Sequence, residues 1–405
     1  MLDIDFIRAQ FPAFTEAPLQ GQAFFENAGG SYTCGQVINR LTRYYKQRKV
    51  QPYYPFEASR LAGEEMDEAR ARLSAVLNIK VDELSFGPST TQNTYVLAQA
   101  FGQMLSAGDA IIVTNQDHEA NTGPWRRLAA RGIEVREWQV DEVGHLDPAA
   151  LENMLDDTVK LVCFPHVSNL VAEINPVAEI CDIIRTAGAY SCVDGVSAAP
   201  HGLPDISGLG ADIYLFSAYK TFGPHQGIMA IKQALADILP NQGHFFNESV
   251  RYKRFTPAGP DHAQVAACAG MVDYLDAVHA HHFSAEPDAA ARGRAVHGLS
   301  SAHEGQLLAP LISYLRGRND VRLLGPQNAE GRVATVSVVA NRPGYELAQA
   351  LVPEGIMAGG GDFYAVRLLE ALKVEPSHGA LRLSFVHYTS EADVQKLIAA
   401  LDKVL

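Results

Sequence analysis

Residues 190–220 read YSCVDGVSAAPHGLPDISGLGADIYLFSAYK, and two short apolar runs within them, Tyr190–Val193 and Asp212–Phe216, predict strands. Apolar runs of this length bounded by Gly and Pro suit strands buried on both faces, as parallel strands are. Each run closes on residues able to do chemistry: Asp194 then Gly195 after the first, Ser217-Ala218-Tyr219-Lys220 after the second. In α/β proteins the carboxyl edge of the sheet is where ligands bind, so Asp194 and Lys220 are expected to emerge on one working edge.

The same pattern extends outward from about residue 84 to 232. Ala110–Thr114, Val135–Val140, Leu161–Phe164 and Gly227–Ile231 are further strand candidates, and helical patterns lie between them. That alternation predicts a sheet of many parallel strands covered by helices. One helix is expected after Asn175 as N-cap, with Pro176 in its first position and Gly188 as its stop. Another carries Ala62, Met66, Ala69, Leu73 and Val76 as one buried stripe.

Residues 240–262, rich in Gly, Pro, Asn and aromatics, predict an irregular connection and a boundary. Beyond them the sequence predicts a long helix from Ala263 to Ala280, another from Leu307 to Gly317, strands Val333–Val339 and Leu381–Val386, and a final helix opened by Ser390-x-x-Asp393. The expected fold is α/β: a large, mostly parallel-sheet domain over 20–255, a smaller α+β domain over 256–405, and an N-terminal arm, 1–19, packing on the small domain.

At 405 residues the chain is too long for one ordinary core. Its formal charge of −13, from 33 basic and 46 acidic residues, opposes recruitment to nucleic acid or to anionic membranes. The amino terminus, Met1-Leu2-Asp3-Ile4-Asp5, is acidic where a signal peptide would be basic, and no stretch reaches membrane-spanning length. Five cysteines, dispersed and without a CxxC pair, suit a reducing compartment, so a cytoplasmic protein is expected. Of these, Cys34 is expected to be the least constrained. His279, His281 and His282 end a helix, where histidine complements the dipole, and no metal site is expected there.

Gly87-Pro88-Ser89-Thr90-Thr91 joins a short strand to a helix, setting backbone N–H groups and three hydroxyls at a positive helix terminus, where phosphate binds. Alone it would read as a hydroxyl N-cap, Asp194 as a loop cap and Lys220 as a surface charge. Together they match the needs of pyridoxal 5′-phosphate (PLP): a lysine to hold it covalently, a phosphate seat, and a carboxylate beside its pyridine nitrogen. His118, just past Ala110–Thr114, would lie over the same edge and offers a flat partner for the ring. GxGxxG and GxxxxGK[ST] patterns, which would point to a nucleotide, are absent.

With these residues in view the chain resembles the class V aminotransferases of PLP fold type I, and within them the cysteine desulfurase-like enzymes. The resemblance runs over nearly the whole chain through Phe24-Phe25-Glu26-Asn27-Ala28-Gly29-Gly30, Gly87-Pro88-Ser89-Thr90-Thr91, Asp117-His118-Glu119-Ala120-Asn121, His166-Val167-Ser168-Asn169, Val193-Asp194-Gly195 and Ser217-Ala218-Tyr219-Lys220. It implies that Thr90, Thr91 and Ser217 bind the phosphate, with Ser89 also at the cofactor, that His118 stacks on the ring, Asn169 bonds the ring hydroxyl and Asp194 pairs with the ring nitrogen. Lys220 would hold the cofactor, with Ser197 and Tyr219 beside it. Asn27 and Arg382, the latter in Leu381-Arg382-Leu383, would meet the substrate, the guanidinium suiting a carboxylate.

The departures bear on function. Ser197 stands where desulfurases have Gln, Tyr219 where they have His, Gly359 where an arginine is usual, and Tyr364 where they carry the persulfide-forming cysteine. The three glycines Gly359-Gly360-Gly361 suggest a mobile or tightly turned loop. The resemblance implies an amino-acid enzyme, first a lyase that cleaves a carbon–heteroatom bond without a loop persulfide, otherwise an aminotransferase or epimerase. It also implies a homodimer, to which the stretch from Tyr252 to His262 would reach across. Intact Arg382 and His118 argue against a PLP-binding protein without turnover.

Overall fold

The computed structural model describes residues 1–285 and 288–405. Its large sheet has seven strands, in the order Leu84–Gly87, Gly227–Ile231, Ile213–Ser217, Tyr190–Asp194, Val159–Pro165, Ala110–Thr114 and Glu134–Trp138. Gly227–Ile231 runs antiparallel to both its neighbours; the remaining pairs are parallel. The two strands flanking it therefore point the same way as the rest, and six carboxyl ends share one edge.

Strand periodicity splits the core in two. Ile112, Val162, Phe164, Val193, Tyr214 and Phe216 face one helical layer, while Ile111, Val113, Leu161, Cys163, Ile213 and Leu215 face the other with Phe101 and Trp125. The interior strands read as unbroken apolar runs because both faces are covered.

A second, antiparallel sheet orders Gly359–Gly361, Ala380–Ser384, Thr335–Ala340 and Val321–Leu324. Helices Ala289–Arg316, Gly344–Leu351 and Glu391–Val404 flank its core, which also takes in Ala23 and Phe25 from the amino-terminal side. Ala23–Phe24 pairs in parallel with Ile356–Met357. Ser390 and Asp393 form the expected reciprocal cap of the final helix.

Three helix readings need correction. The helix after residue 175 starts at Val177 with Pro176 as its N-cap; the Asn175 side chain is anchored elsewhere, its amide donating to Gln116 Oε1 at 2.7 Å and to the Pro165 carbonyl at 2.8 Å, and its Oδ1 caps no helix N–H. The helix expected over 263–280 divides at Cys268 into His262–Ala267 and Ala269–His282. The helix expected from Leu307 begins at Ala289, since its first half buries small residues such as Gly293 and Ser300 and shows no apolar stripe to read.

Asp3 bonds His281 Nε2 at 2.9 Å, its backbone N–H donates to His282 Nε2 at 2.9 Å, and Phe6 stacks on His281 at 3.8 Å. Phe11 is fully buried against Phe222, Tyr274 and Tyr388, and Arg8 pairs with Asp393 at 2.9 Å. The first residues thus cover ground between the two sheets. No helix among the described residues is long and apolar enough to cross a membrane.

Candidate active site

At the carboxyl edge of the large sheet a cavity of about 350 Å³ is lined by Ser89, Thr90, Thr91, His118, Asn169, Asp194, Ser197, Ser217, Tyr219 and Lys220. Its floor follows from strand register. Gly227 stands between Gly87 on one side and Ser217 on the other, so the turns leaving those two strands meet above it. Thr90 Oγ1 lies 2.7 Å from Ser217 Oγ. Ser89 caps helix Thr90–Met104 by accepting from the Gln92 N–H at 3.1 Å, which leaves the positive end of that helix facing the cavity. A side chain at 227 would strike the Ser89–Thr90 backbone, its Cβ lying 2.7 Å from the Thr90 nitrogen.

Lys220 is buried, and burial, with the Arg382 charge second, lowers its amine to about 8. Its amine makes no hydrogen bond or ion pair with another described residue. Asp194 accepts from the Val196 N–H at 2.8 Å, and burial pushes its carboxyl up to about 6. His118 caps helix Glu119–Arg126, its Nδ1 accepting from the Ala120 N–H at 3.0 Å. Burial first, then the charges of Lys220 and Arg382, hold His118 down to about 4, so it is a neutral imidazole fixed in orientation. Beneath it the buried Asp117 accepts from Thr114 at 2.8 Å and from Asn121 at 3.0 Å, locking the turn that presents the ring.

Asn169 donates to the Phe363 carbonyl at 2.9 Å, while its Oδ1 is buried without a partner. The idle amine of Lys220, the bare Oδ1 of Asn169 and the hydroxyl floor fit a flat aromatic phosphate ester, and the volume suits one. These residues therefore fit PLP.

Arg382 and Asn27 are not among the residues lining the cavity. Arg382 is buried, donates to the Asn169 carbonyl at 3.1 Å and to Glu26 Oε1 at 2.7 Å, and lies 4.0 Å from the centre of the Phe363 ring. Asn27 donates to the Ser384 carbonyl at 3.1 Å and accepts from the Tyr388 hydroxyl. The triple glycine is a strand rather than a free loop. Gly359 sits opposite Arg382, Gly360 lies tight on the Gly344 backbone, and Gly361 has φ 144°. Tyr364 follows, exposed, 5.2 Å from His118.

All five cysteines are free and buried. The expectation that Cys34 is the least constrained is overturned: it is fully enclosed beneath helix Ala269–His282, its Sγ 3.8 Å from the Gly270 carbonyl, and burial raises its thiol to about 12. Sequence reasoning gave no role to three residues at or beside the site. Glu26 and Asp117 lie inside stretches that point to the site, and His225, stacked on Tyr219 at 4.8 Å, follows the lysine closely. Proximity to quoted motifs was the one available signal.

The class-V aminotransferase family model (Aminotransferase class-V) matches residues 23–397. The chain is 32% identical to the aminotransferase-like protein FGM3 of Gibberella zeae, over 99% of this chain and 98% of that protein. It is 30% identical to a probable cysteine desulfurase of Halobacterium salinarum, over 99% and 96%. Among solved structures, the apo structure of a cysteine desulfurase from Thermococcus onnurineus NA1 shares the fold with a TM-score of 0.86 at 23% identity, covering 98% of this chain and 97% of that one. A family match of this extent, over a cavity whose residues fit the cofactor, makes the chain an enzyme of the class-V aminotransferase family, PLP-dependent and built on the type I fold.

Proposed function

We propose that the protein is a PLP-dependent lyase that cleaves a carbon–sulfur or other carbon–heteroatom bond of an amino acid without passing sulfur to a cysteine of its own loop. The observation that carries this reading is Tyr364, a phenol exposed beside His118 at the place where desulfurases align a thiol, in a chain whose five cysteines are all buried. A phenol cannot attack sulfur and hold it as a thiolate can.

Bound PLP supplies an electron sink for negative charge developing at the substrate α-carbon. In this reading Ser89, Thr90, Thr91 and Ser217 would hold the phosphate, His118 would stack on the ring, Asn169 would bond its oxygen, and Asp194 would keep its nitrogen protonated. Ser197 and Tyr219 close the wall, and Asn27 and Arg382 orient the substrate carboxylate. Lys220, its amine at about 8, can take a proton from the α-carbon near neutral pH and return it. The heteroatom group leaves to solvent or to an added acceptor.

A second reading is transamination or epimerisation on the same residues, and the 32% identity to an aminotransferase-like protein favours the former. Mass spectrometry after incubation with cysteine, cysteine sulfoxides and common 2-amino acids tests both. The lyase reading expects a 2-oxo acid, ammonia and the released group in equal amounts. A 2-oxo acid without ammonia, or a D-amino acid, would replace it with the second reading.

The domain division at 255 and 256, with an arm over 1–19, belongs to the same proposal, as do a cytoplasmic setting and a homodimer. The dimer is supported by aromatic side chains left in water: Tyr53 and Tyr54 are 55% and 56% exposed, Phe245 and Phe246 85% and 67%. Tyr53, His244 and Tyr252 line one groove there.

A further inference from the structure

The arginine assigned to the substrate carboxylate already holds a carboxylate from its own chain. Glu26 follows Ala23–Phe24 and bridges to Ser384, which shares a strand face with Arg382 two residues earlier, so Glu26 Oε1 reaches Arg382 Nη2 at 2.7 Å. The pair is unequal. The Arg382 side chain is 4% exposed and that of Glu26 is 30% exposed, so the carboxylate can return to water while the guanidinium cannot.

The contact is also incomplete. Glu26 touches one nitrogen, Phe363 covers the guanidinium face, and the buried Nε has no partner. A carboxylate binding two nitrogens would be held more strongly than Glu26 is. Two glycines make the room that Glu26 occupies. A Cβ at Gly29 would overlap the Glu26 carboxylate, and one at Gly359 would come within 3.1 Å of Oε1.

Resting on the amino-acid reading above, we infer that Glu26 is an exchangeable counter-ion for Arg382: it is displaced by the α-carboxylate of an incoming amino acid and stays in place for amines or amides that lack one. The substrate class is thereby widened to α-amino acids and their amidated or decarboxylated analogues. Without Glu26, an analogue lacking the carboxylate would leave a buried guanidinium unpaired, a strongly unfavourable state.

The test is calorimetric binding of propionate and propionamide to the cofactor-loaded full chain. Glu26→Gln should tighten propionate about tenfold, equivalent to about 1.4 kcal/mol, and weaken or leave unchanged propionamide. Gly29→Ala, which keeps the charge but takes its place, should do the same and stands in if Glu26→Gln folds poorly. A crystal of the unaltered protein soaked in propionate should show the ligand on Arg382 and Glu26 turned away. Unchanged or weaker propionate binding in the variants, or propionate lodged elsewhere with the pair intact, would overturn the inference. Because propionate undergoes no bond cleavage, these results are independent of which reaction the enzyme catalyses. Absence of any amino-acid product would count against the proposed function alone.

Discussion

Thr90 and Ser217 lie 127 positions apart in the chain, yet their side-chain oxygens stand 2.7 Å from each other. Gly227, paired with Gly87 on one side and Ser217 on the other, makes that meeting possible. Gly227→Ala should force the Ser89–Thr90 turn off the sheet edge, weakening PLP retention at least tenfold and destabilising the fold by about 1–3 kcal/mol, the usual range for overpacking. Cofactor absorbance after gel filtration measures the first effect and thermal unfolding the second. Full retention in the variant would show that the turn is not the phosphate seat.

In its proposed role Lys220 would bond the cofactor as the neutral amine, and that amine is held down to about 8. The rate of PLP incorporation into cofactor-free protein should therefore rise with pH up to about 8 and then level, instead of climbing toward the ordinary lysine value of 10.5. Borohydride reduction followed by peptide mapping should mark Lys220. A label on another lysine would end the assignment.

Asp194, raised from 3.8 to about 6 by burial, binds its proton more tightly folded than unfolded. Its ionisation thus opposes folding, and stability is lost as pH climbs from 3.8 through about 6. At pH 7 that loss is on the order of 3 kcal/mol in the cofactor-free protein. Asp194→Asn should accordingly unfold at higher temperature than the unaltered chain at pH 7, with little difference at pH 3.5. With PLP bound the same variant should keep cofactor but lose most turnover, since the ring nitrogen no longer has an anionic partner. Undiminished turnover would remove Asp194 from its role.

The buried thiols set a further expectation. With Cys34 near 12 and Cys181 near 11, thiolate is scarce at neutral pH. An alkylating agent should label the native protein far more slowly than the denatured one. After incubation with L-cysteine, no cysteine peptide should carry an added sulfur in near-stoichiometric yield. A persulfide at any of the five would restore a sulfur-transfer role.

The interior strands of the large sheet were readable because both faces are buried, which makes each an apolar run; Ala110–Thr114 and Gly227–Ile231 needed no adjustment of their ends. Residues just past such runs, Asp194 and Lys220, were legible for the same reason. The relation of Glu26 to Arg382 was not, because it depends on a pairing across 356 residues that no local pattern encodes. Asn175 misled as a helix cap because its side chain is anchored by its amide to Gln116 and Pro165, with its oxygen away from the helix N–H groups. Cys34 looked open because the helix that covers it, Ala269–His282, comes from the far side of the chain.

Phe363 and Tyr364, with φ 53° and 56°, are consecutive non-glycine residues in left-handed backbone, a state that costs roughly 1–2 kcal/mol apiece. The tension is restrained by two bonds onto the large-sheet side of the cavity: the Phe363 carbonyl accepts from Asn169 and the Tyr364 carbonyl from the Glu119 N–H at 2.8 Å. Such a segment is a sprung catch. Any displacement of these two residues from His118 would break both bonds but relieve the backbone cost, so its net expense is smaller than the two bonds alone suggest.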